Sequence, residues 1–161
     1  MAAKQTKTNA MRKLETEKVA YTFHEYDHED GAIDGVSVAN KLGQDPAQVF
    51  KTLVTQGASK NFYVFVIPVA AELDLKKAAK AVGEKSVAML HVADLLKTTG
   101  YIRGGCSPVG MKKQFVTVID SSAQDKPTVM VSAGRIGAQV ELAPADLARV
   151  TKARFESITF A

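Results

Sequence analysis

The chain has 161 residues, 46% of them hydrophobic and 24% charged, and carries a net charge of +4 from 21 basic and 17 acidic side chains. These values are typical of a soluble globular chain the size of one domain, and the mild basic excess is compatible with an anionic partner without identifying one. A membrane-spanning helix is excluded, since no apolar run approaches the roughly 20 residues that such a helix needs.

The single cysteine and the polar N-terminus bear on where the protein works. Cys106 is the only cysteine, which excludes an internal disulfide and makes a reducing, cytoplasmic setting the simplest expectation. Residues 1–9 lack the apolar block of a secretory signal and are expected to be frayed. Because no repeat or low-complexity linker interrupts the chain, we expect one domain over residues 1–161.

Five short helices are predicted from apolar residues that recur at helical spacing. In the clearest of them, Asp74 is the expected N-cap and Gly83 the C-terminal stop. In another, Leu95 and Leu96 are expected to face inward. The predicted helices cover residues 11–20, 36–42, 74–83, 92–98 and 143–150.

Seven strands, and a C-terminal segment that can add an eighth, are predicted from short runs of β-branched and aromatic residues. Residues 62–68 form a nearly continuous apolar run, typical of a central strand buried on both faces, and the short loop before it predicts a hairpin. The predicted strands cover residues 21–26, 48–54, 62–68, 87–89, 115–120, 128–131 and 139–142, with the added segment at 155–160. Because helices and strands are interspersed without regular βαβ alternation, we expect an α+β fold with a mixed, largely antiparallel sheet and packed helices.

A lysine occupies the middle of the 48–54 strand, among apolar neighbours. Burying an ammonium is costly unless it finds a partner or reaches an open cleft. Lys51 is therefore either an edge-strand lysine whose ammonium reaches water, or a cation that projects into a ligand pocket. A lysine is normally charged at neutral pH, so in a pocket it would hold an anionic or polarised oxygen rather than accept a proton.

Two glycine-bearing loops offer a second kind of site. Residues 104–110 contain three glycines and one proline, and a second glycine-bearing turn lies at residues 132–137. Backbone N–H groups in such loops can bind an anion or a carbonyl oxygen, although the same composition also makes ordinary turns.

Other kinds of site find less support. His24 and His28 lie near acidic residues but lack the arrangement of a metal site, so no metal is expected. No signature ties a histidine to Cys106 as a catalytic nucleophile, and no phosphate-binding loop of known pattern occurs. The sequence therefore predicts no cofactor.

Seven short motifs occur in a specific order, at residues 50–53, 68–70, 73–77, 99–101, 104–113, 131–135 and 141–143. Together they resemble the YbaK/EbsC family, and within it the YbaK-type deacylases of Cys-tRNA(Pro), over about residues 14–155. The resemblance implies a compact α+β domain with a curved mixed sheet of six or seven strands, which is also the fold of the editing domain of bacterial-type prolyl-tRNA synthetases.

The resemblance further implies trans-editing, the removal of a wrong amino acid from tRNA after its release from the synthetase. The implied substrates are Cys-tRNA(Pro) and Cys-tRNA(Cys); cysteine is close to proline in size, and such small differences give only ~1–3 kcal/mol of discrimination. The substrate's own thiol would attack the ester and release a thiolactone. Prolyl-tRNA synthetase is the expected docking partner, no membrane is involved, and the oligomeric state is left open. A deacylase for another small amino acid such as alanine, and a non-catalytic module that binds nucleotides or tRNA ends, are the alternatives.

Site residues follow from the same resemblance. Lys51 would secure the terminal adenosine, and Gly104, with the loop through Pro108, would orient the aminoacyl carbonyl through backbone N–H groups. Gln139 stands where some relatives carry an acidic residue, so it cannot serve as a carboxylate base, and Cys106 is expected to form pocket wall. The residues expected to bind substrate are Tyr26, Thr52, Gly105, Cys106, Ser107, Pro108, Ser132, Gly134 and Gln139.

Overall fold

The computed structural model describes residues 7–31 and 34–160, which contain five α-helices and eight β-strands. The helices are α1 (Asn9–Thr16), α2 (Gly35–Leu42), α3 (Leu75–Val82), α4 (Val92–Thr99) and α5 (Pro144–Thr151). The strands are β1 (Thr22–Glu25), β2 (Phe50–Gly57), β3 (Phe62–Pro68), β4 (Val87–Met89), β5 (Val116–Asp120), β6 (Val129–Ser132), β7 (Ala138–Leu142) and β8 (Arg154–Glu156). None of the described helices has both the length and the apolar composition needed to cross a membrane.

The strands form two sheets. The larger sheet has the order β4-β2-β3-β5-β8 and the smaller the order β1-β7-β6. β5 pairs in parallel with both β3 and β8, whereas the other pairs are antiparallel. A parallel bridge between Val49 and Met130 connects the sheets. This architecture confirms the predicted α+β class with largely antiparallel pairing, but the strands are divided between two sheets instead of lying in one.

β2 and β3 form the predicted hairpin at the centre of the larger sheet. Successive side chains of a strand point to opposite faces. Val64 and Val66 of β3 belong to the core shared with the smaller sheet, while Phe65 and Ile67 belong to the core under α3. All four are fully buried, which confirms the prediction of a central strand buried on both faces.

The first helix begins earlier than predicted. Thr8 is the N-cap of α1: its hydroxyl accepts a hydrogen bond from the Met11 N–H at 3.2 Å and donates one to the Ala133 carbonyl. A capping threonine supplies an acceptor that the first helical turn otherwise lacks. Thr8 and Asn9, which were expected to be frayed, therefore lie at the capped start of α1, and residues 1–6 lie outside the described part of the chain.

Only one of the two adjacent leucines of α4 faces the core. Leu95 packs against the main apolar core, whereas 53% of Leu96 is exposed. Neighbouring positions on a helix differ by about 100° in direction, so a short surface helix buries one of two adjacent side chains. The expectation that both face inward is wrong for Leu96.

The two glycine-bearing loops pack directly against each other. A side chain on Gly105 would place its Cβ 2.9 Å from the Arg135 Cα and 3.0 Å from the Ile136 nitrogen, which leaves no room for a methyl group. In the same loop, the buried Tyr101 hydroxyl donates to the Val109 carbonyl at 2.7 Å, and this bond closes the loop on itself. These contacts hold the loop after α4 beside the β6–β7 turn.

Replacing the two leucines of α4 one at a time tests its orientation. Leu95→Ala removes a side chain that packs on the core, and we expect it to lower the free energy of unfolding by about 1–3 kcal/mol. Leu96→Ala, the matched control on the same helix, should change it by less than about 0.5 kcal/mol. Urea denaturation followed by circular dichroism measures both values, and equal losses would contradict the orientation described.

Candidate active site

A cleft of about 650 Å³ lies where β2 begins, beside the N-terminal end of α2 and the loop that follows α4. Residues of β6 and β7 complete its wall. Its volume falls within the ~300–1,000 Å³ usual for small-molecule sites. The cleft brings together seven of the residues predicted from the sequence, namely Tyr26, Lys51, Thr52, Gly104, Cys106, Ser132 and Gln139.

Lys51 is the second residue of β2. β2 pairs with β3 along its length but with β4 only from Thr55 to Gly57, so the Lys51 end of the strand is left to border the cleft. Among the described residues, no hydrogen bond or ion pair is found for its ammonium. The charge is therefore available to an oxygen of a ligand. This location favours the interpretation of Lys51 as a cation in a ligand pocket over that of an edge-strand lysine.

Gly104 contributes a backbone donor. Its φ of +86° lies in the left-handed region, which glycine adopts without the steric cost of a Cβ atom. The Gly105 N–H donates to the Ile102 carbonyl at 3.0 Å, whereas the Gly104 N–H has no acceptor in the described part of the chain. Gly104 is exposed and lines the cleft, so this N–H can bind an oxygen of a ligand.

Two hydroxyl groups of the cleft have different surroundings. The Thr52 Oγ1 is cut off from solvent and has no hydrogen-bond partner among the described residues. Buried polar groups normally have a partner, so this hydroxyl is an exception within the cleft wall and is not reached by solvent in the cleft. The Ser132 Oγ accepts a hydrogen bond from the Gly134 N–H at 3.1 Å, so it shapes the β6–β7 turn and keeps its proton available.

Four predicted binding residues do not line the cleft: Gly105, Ser107, Pro108 and Gly134. Gly105 packs against the neighbouring turn, as described above, and Gly134 belongs to that turn. Ser107 is fully buried and its Oγ accepts from the Val109 N–H at 3.2 Å. Pro108 lines a separate cavity of about 220 Å³. Their substrate contacts stay a prediction, and their location instead gives them a role in shaping the two loops.

Cys106 forms part of the cleft wall and packs against the main core. Burial raises the pKa of its thiol to about 11, because a thiolate is poorly solvated in an apolar environment. The thiol is therefore neutral at physiological pH, and a neutral thiol is a poor nucleophile.

The rim of the cleft carries charges of both signs. The exposed Arg103, next to Gly104, adds a second cation to that of Lys51. Asp34 supplies a carboxylate, but it caps α2, and hydrogen bonds from the Ser37 hydroxyl and N–H hold the pKa of Asp34 below its usual range. Within the described ranges, no group of three or more His, Cys, Asp or Glu side chains is placed to hold a metal ion.

Sequence reasoning missed Arg103 and the apolar wall. Arg103 directly precedes Gly104, so a cation flanking a glycine-rich loop was a signal that could have identified it. The wall contains Val36, Val49 and Val69. Such residues look like ordinary core residues in a sequence, because their exposure to a cleft depends on how distant segments pack.

Comparison with known sequences gives two matches. The family model described as "Aminoacyl-tRNA editing domain" matches residues 32–150. The EbsC protein of Enterococcus faecalis (strain ATCC 700802 / V583), which is provisionally described as a Cys-tRNA(Pro)/Cys-tRNA(Cys) deacylase, is 51% identical over 161 residues, which is 99% of this chain and 98% of that protein.

Two solved structures share the fold. Hypothetical protein APE2540 superposes with a TM-score of 0.87 at 21% identity, over 95% of this chain and 100% of that one. A protein provisionally described as a trans-editing enzyme for prolyl tRNA synthetase superposes with a TM-score of 0.83 at 23% identity, over 98% and 100%. At these identities the likeness concerns the fold alone. Because the family model covers most of the sequence and the enterococcal relative matches nearly all of it, the chain belongs to the aminoacyl-tRNA editing domain family.

Proposed function

We propose that the protein is a trans-editing deacylase that removes cysteine from mischarged Cys-tRNA(Pro), and from Cys-tRNA(Cys), in the cytoplasm. The observation that carries this proposal is a shared cleft: Lys51 and Gly104 line one cavity, and neither the Lys51 ammonium nor the Gly104 N–H has a partner among the described residues. Membership in the editing family and the description of the enterococcal relative support the choice of substrate.

Lys51 and Gly104 bind different parts of the substrate. The Lys51 ammonium holds a phosphate or ribose oxygen of the terminal adenosine through a charge-assisted hydrogen bond, and Arg103 adds to the positive potential at the rim. The Gly104 N–H donates to the ester carbonyl oxygen, where negative charge develops as the carbonyl carbon is attacked. These donors bind and orient the substrate without forming a covalent bond to it.

The substrate supplies the nucleophile. The sulfur of the cysteinyl group attacks its own ester carbonyl carbon and forms a C–S bond, while the C–O bond to the ribose breaks and the thiol proton passes to the ribose oxygen. The products are a cysteine thiolactone and free tRNA. An ordinary cysteine thiol has a pKa of about 8.5, so the thiol of the substrate ionises more readily than that of Cys106. Holding the thiol near the carbonyl gives an intramolecular reaction its high effective concentration.

Prolyl-tRNA synthetase is the partner that we propose for docking. The cleft has the volume of a small-molecule site, about 650 Å³, so it would bind the aminoacylated end of the tRNA and leave most of the tRNA outside. A synthetase bound nearby supplies the recognition of the rest of the tRNA.

Removing the cation tests the role of Lys51. We expect Lys51→Ala to lower kcat/KM for Cys-tRNA(Pro) about 10- to 100-fold, the loss typical of one charge-assisted hydrogen bond. Lys80→Ala, which removes an exposed lysine of α3 outside the cleft, should deacylate at the wild-type rate. Release of labelled cysteine from charged tRNA measures both rates, and wild-type activity of Lys51→Ala would refute the role.

Exchanging the amino acid tests the nucleophile. Ala-tRNA(Pro) has no thiol, so we expect its deacylation to be at least about 100-fold slower than that of Cys-tRNA(Pro). Mass spectrometry should detect the thiolactone before it hydrolyses. Equal rates would instead favour a deacylase that uses water, and tRNA binding without cleavage of either ester would favour the non-catalytic module.

The state of the Cys106 thiol can be measured directly. With a pKa of about 11, about one Cys106 side chain in a thousand is ionised at pH ~8, against roughly one in four for an unperturbed thiol. We expect the rate of alkylation by iodoacetamide to rise about tenfold per pH unit up to about pH 10. Cys106→Ala should keep deacylase activity, and loss of the chemical step in that variant would show that Cys106 is a nucleophile.

A further inference from the structure

The side-chain amide of Gln139, which lines the cleft, is hydrogen-bonded to a residue that lies outside the cleft. Gln139 lines the cleft and is only 4% exposed. Its Oε1 accepts a hydrogen bond from the Gln44 Nε2 at 2.5 Å. Gln44 does not itself line the cleft. The carbonyl end of Gln139 is therefore engaged by a neighbour that a ligand in the cleft does not meet.

The end of α2 fixes the position of Gln44. α2 stops at Gly43, which has a left-handed conformation with φ +65°. The Gln44 N–H then donates back to the Ala39 carbonyl at 2.8 Å, a bond typical of helix ends that terminate in a left-handed glycine. The Gln44 side chain thus starts from a well-defined backbone.

The pair has a preferred direction. The Gln44 Oε1 is cut off from solvent and has no donor among the described residues. Were the pair reversed, the Gln44 amide nitrogen would occupy that position with its N–H groups unpartnered, and a buried orphan N–H is rarer than an under-satisfied carbonyl. Gln44 is therefore the donor and Gln139 the acceptor.

This direction leaves the Gln139 Nε2 as the free end of the amide. It makes no hydrogen bond to any described residue, and it is not among the polar atoms sealed from solvent. Since Gln139 meets solvent only in small part, the free end points to the space that the residue borders.

We propose that Gln44 is a positioning residue: by holding the Gln139 Oε1 it turns the Gln139 N–H₂ group toward the cleft as a hydrogen-bond donor for an oxygen of the aminoacyl-adenosine end. The proposal rests on the proposed deacylase function and deepens it. An amide donor suits a carbonyl, ester or hydroxyl oxygen. Without the Gln44 donor, the Gln139 amide can rotate and present its oxygen instead.

Gln44→Glu tests the direction of the pair. The ionised carboxylate of this variant accepts from the Gln139 Nε2 and turns the Gln139 oxygen toward the cleft, so we expect kcat/KM for Cys-tRNA(Pro) to fall about tenfold at pH ~8. Lowering the pH to about 5.5 protonates part of the buried carboxyl, which then donates to the Gln139 Oε1. The activity of the variant relative to wild type should therefore recover at least about threefold.

Dividing the activity of Gln44→Glu by that of the wild-type protein at each pH cancels the effects of the other titratable groups. His24 lies opposite Gln139 in the β1–β7 register, and Tyr26, Asp34, Lys51 and Cys106 line the same cleft. All five are present in both proteins. A ratio that does not change with pH would overturn the proposal.

Gln48→Leu is the matched control for loss of a side-chain hydrogen bond. The Gln48 Nε2 donates to the Thr128 carbonyl at 3.1 Å, and Gln48 does not line the cleft. We expect Gln44→Leu to lower kcat/KM about three- to tenfold and Gln48→Leu to leave it unchanged, with melting temperatures reported for both. Equal losses of kcat/KM in the two variants, or an unchanged kcat/KM in Gln44→Leu, would contradict the proposal. A wild-type protein without deacylase activity would instead refute the proposed function.

Discussion

The close backbone contact between Gly105 and the β6–β7 turn is the constraint on which the cleft depends. The two loops belong to distant parts of the chain, and the missing side chain of Gly105 lets their backbones approach. The contact brings Gly104 and Cys106 to the cavity that Ser132 also borders. Thr8 adds a tie from α1 by donating to the Ala133 carbonyl. The cavity therefore lies where the loop after α4 meets the β6–β7 turn, beside the start of β2.

The cleft offers donors and cations rather than bases and nucleophiles. Lys51 and Arg103 supply charge, and the Gly104 N–H supplies a dipole, while Asp34, the one carboxylate among the described residues that line the cleft, caps α2. Such a site suits a reaction in which the substrate carries its own reactive group, because orientation then accounts for most of the acceleration. It also suits a second sieve, since a substrate without that group binds but does not react.

The sequence predicted the elements better than it predicted the cleft. Local signals were sufficient for β3, for the Asp74 cap of α3 and for the Lys51 strand, since each depends on residues close together in the chain. The exposure of Leu96, and the location of Ser107 and Pro108 outside the cleft, depend instead on which side of each segment packs against the rest of the protein. The role of Gln44 is of the same kind, because its partner Gln139 is 95 positions away in the chain.

The burial of Cys106 has a consequence for the proposed reaction, in which the substrate carries a cysteinyl group. Disulfide exchange and oxidation to sulfenic acid both proceed through the thiolate. A wall thiol that ionised easily could form a mixed disulfide with the thiol of a cysteinyl ligand, leaving the tRNA tethered to the protein. Kept neutral within the core, Cys106 lines the cavity as a small apolar surface, and this form of the side chain is compatible with repeated turnover under mild oxidative stress.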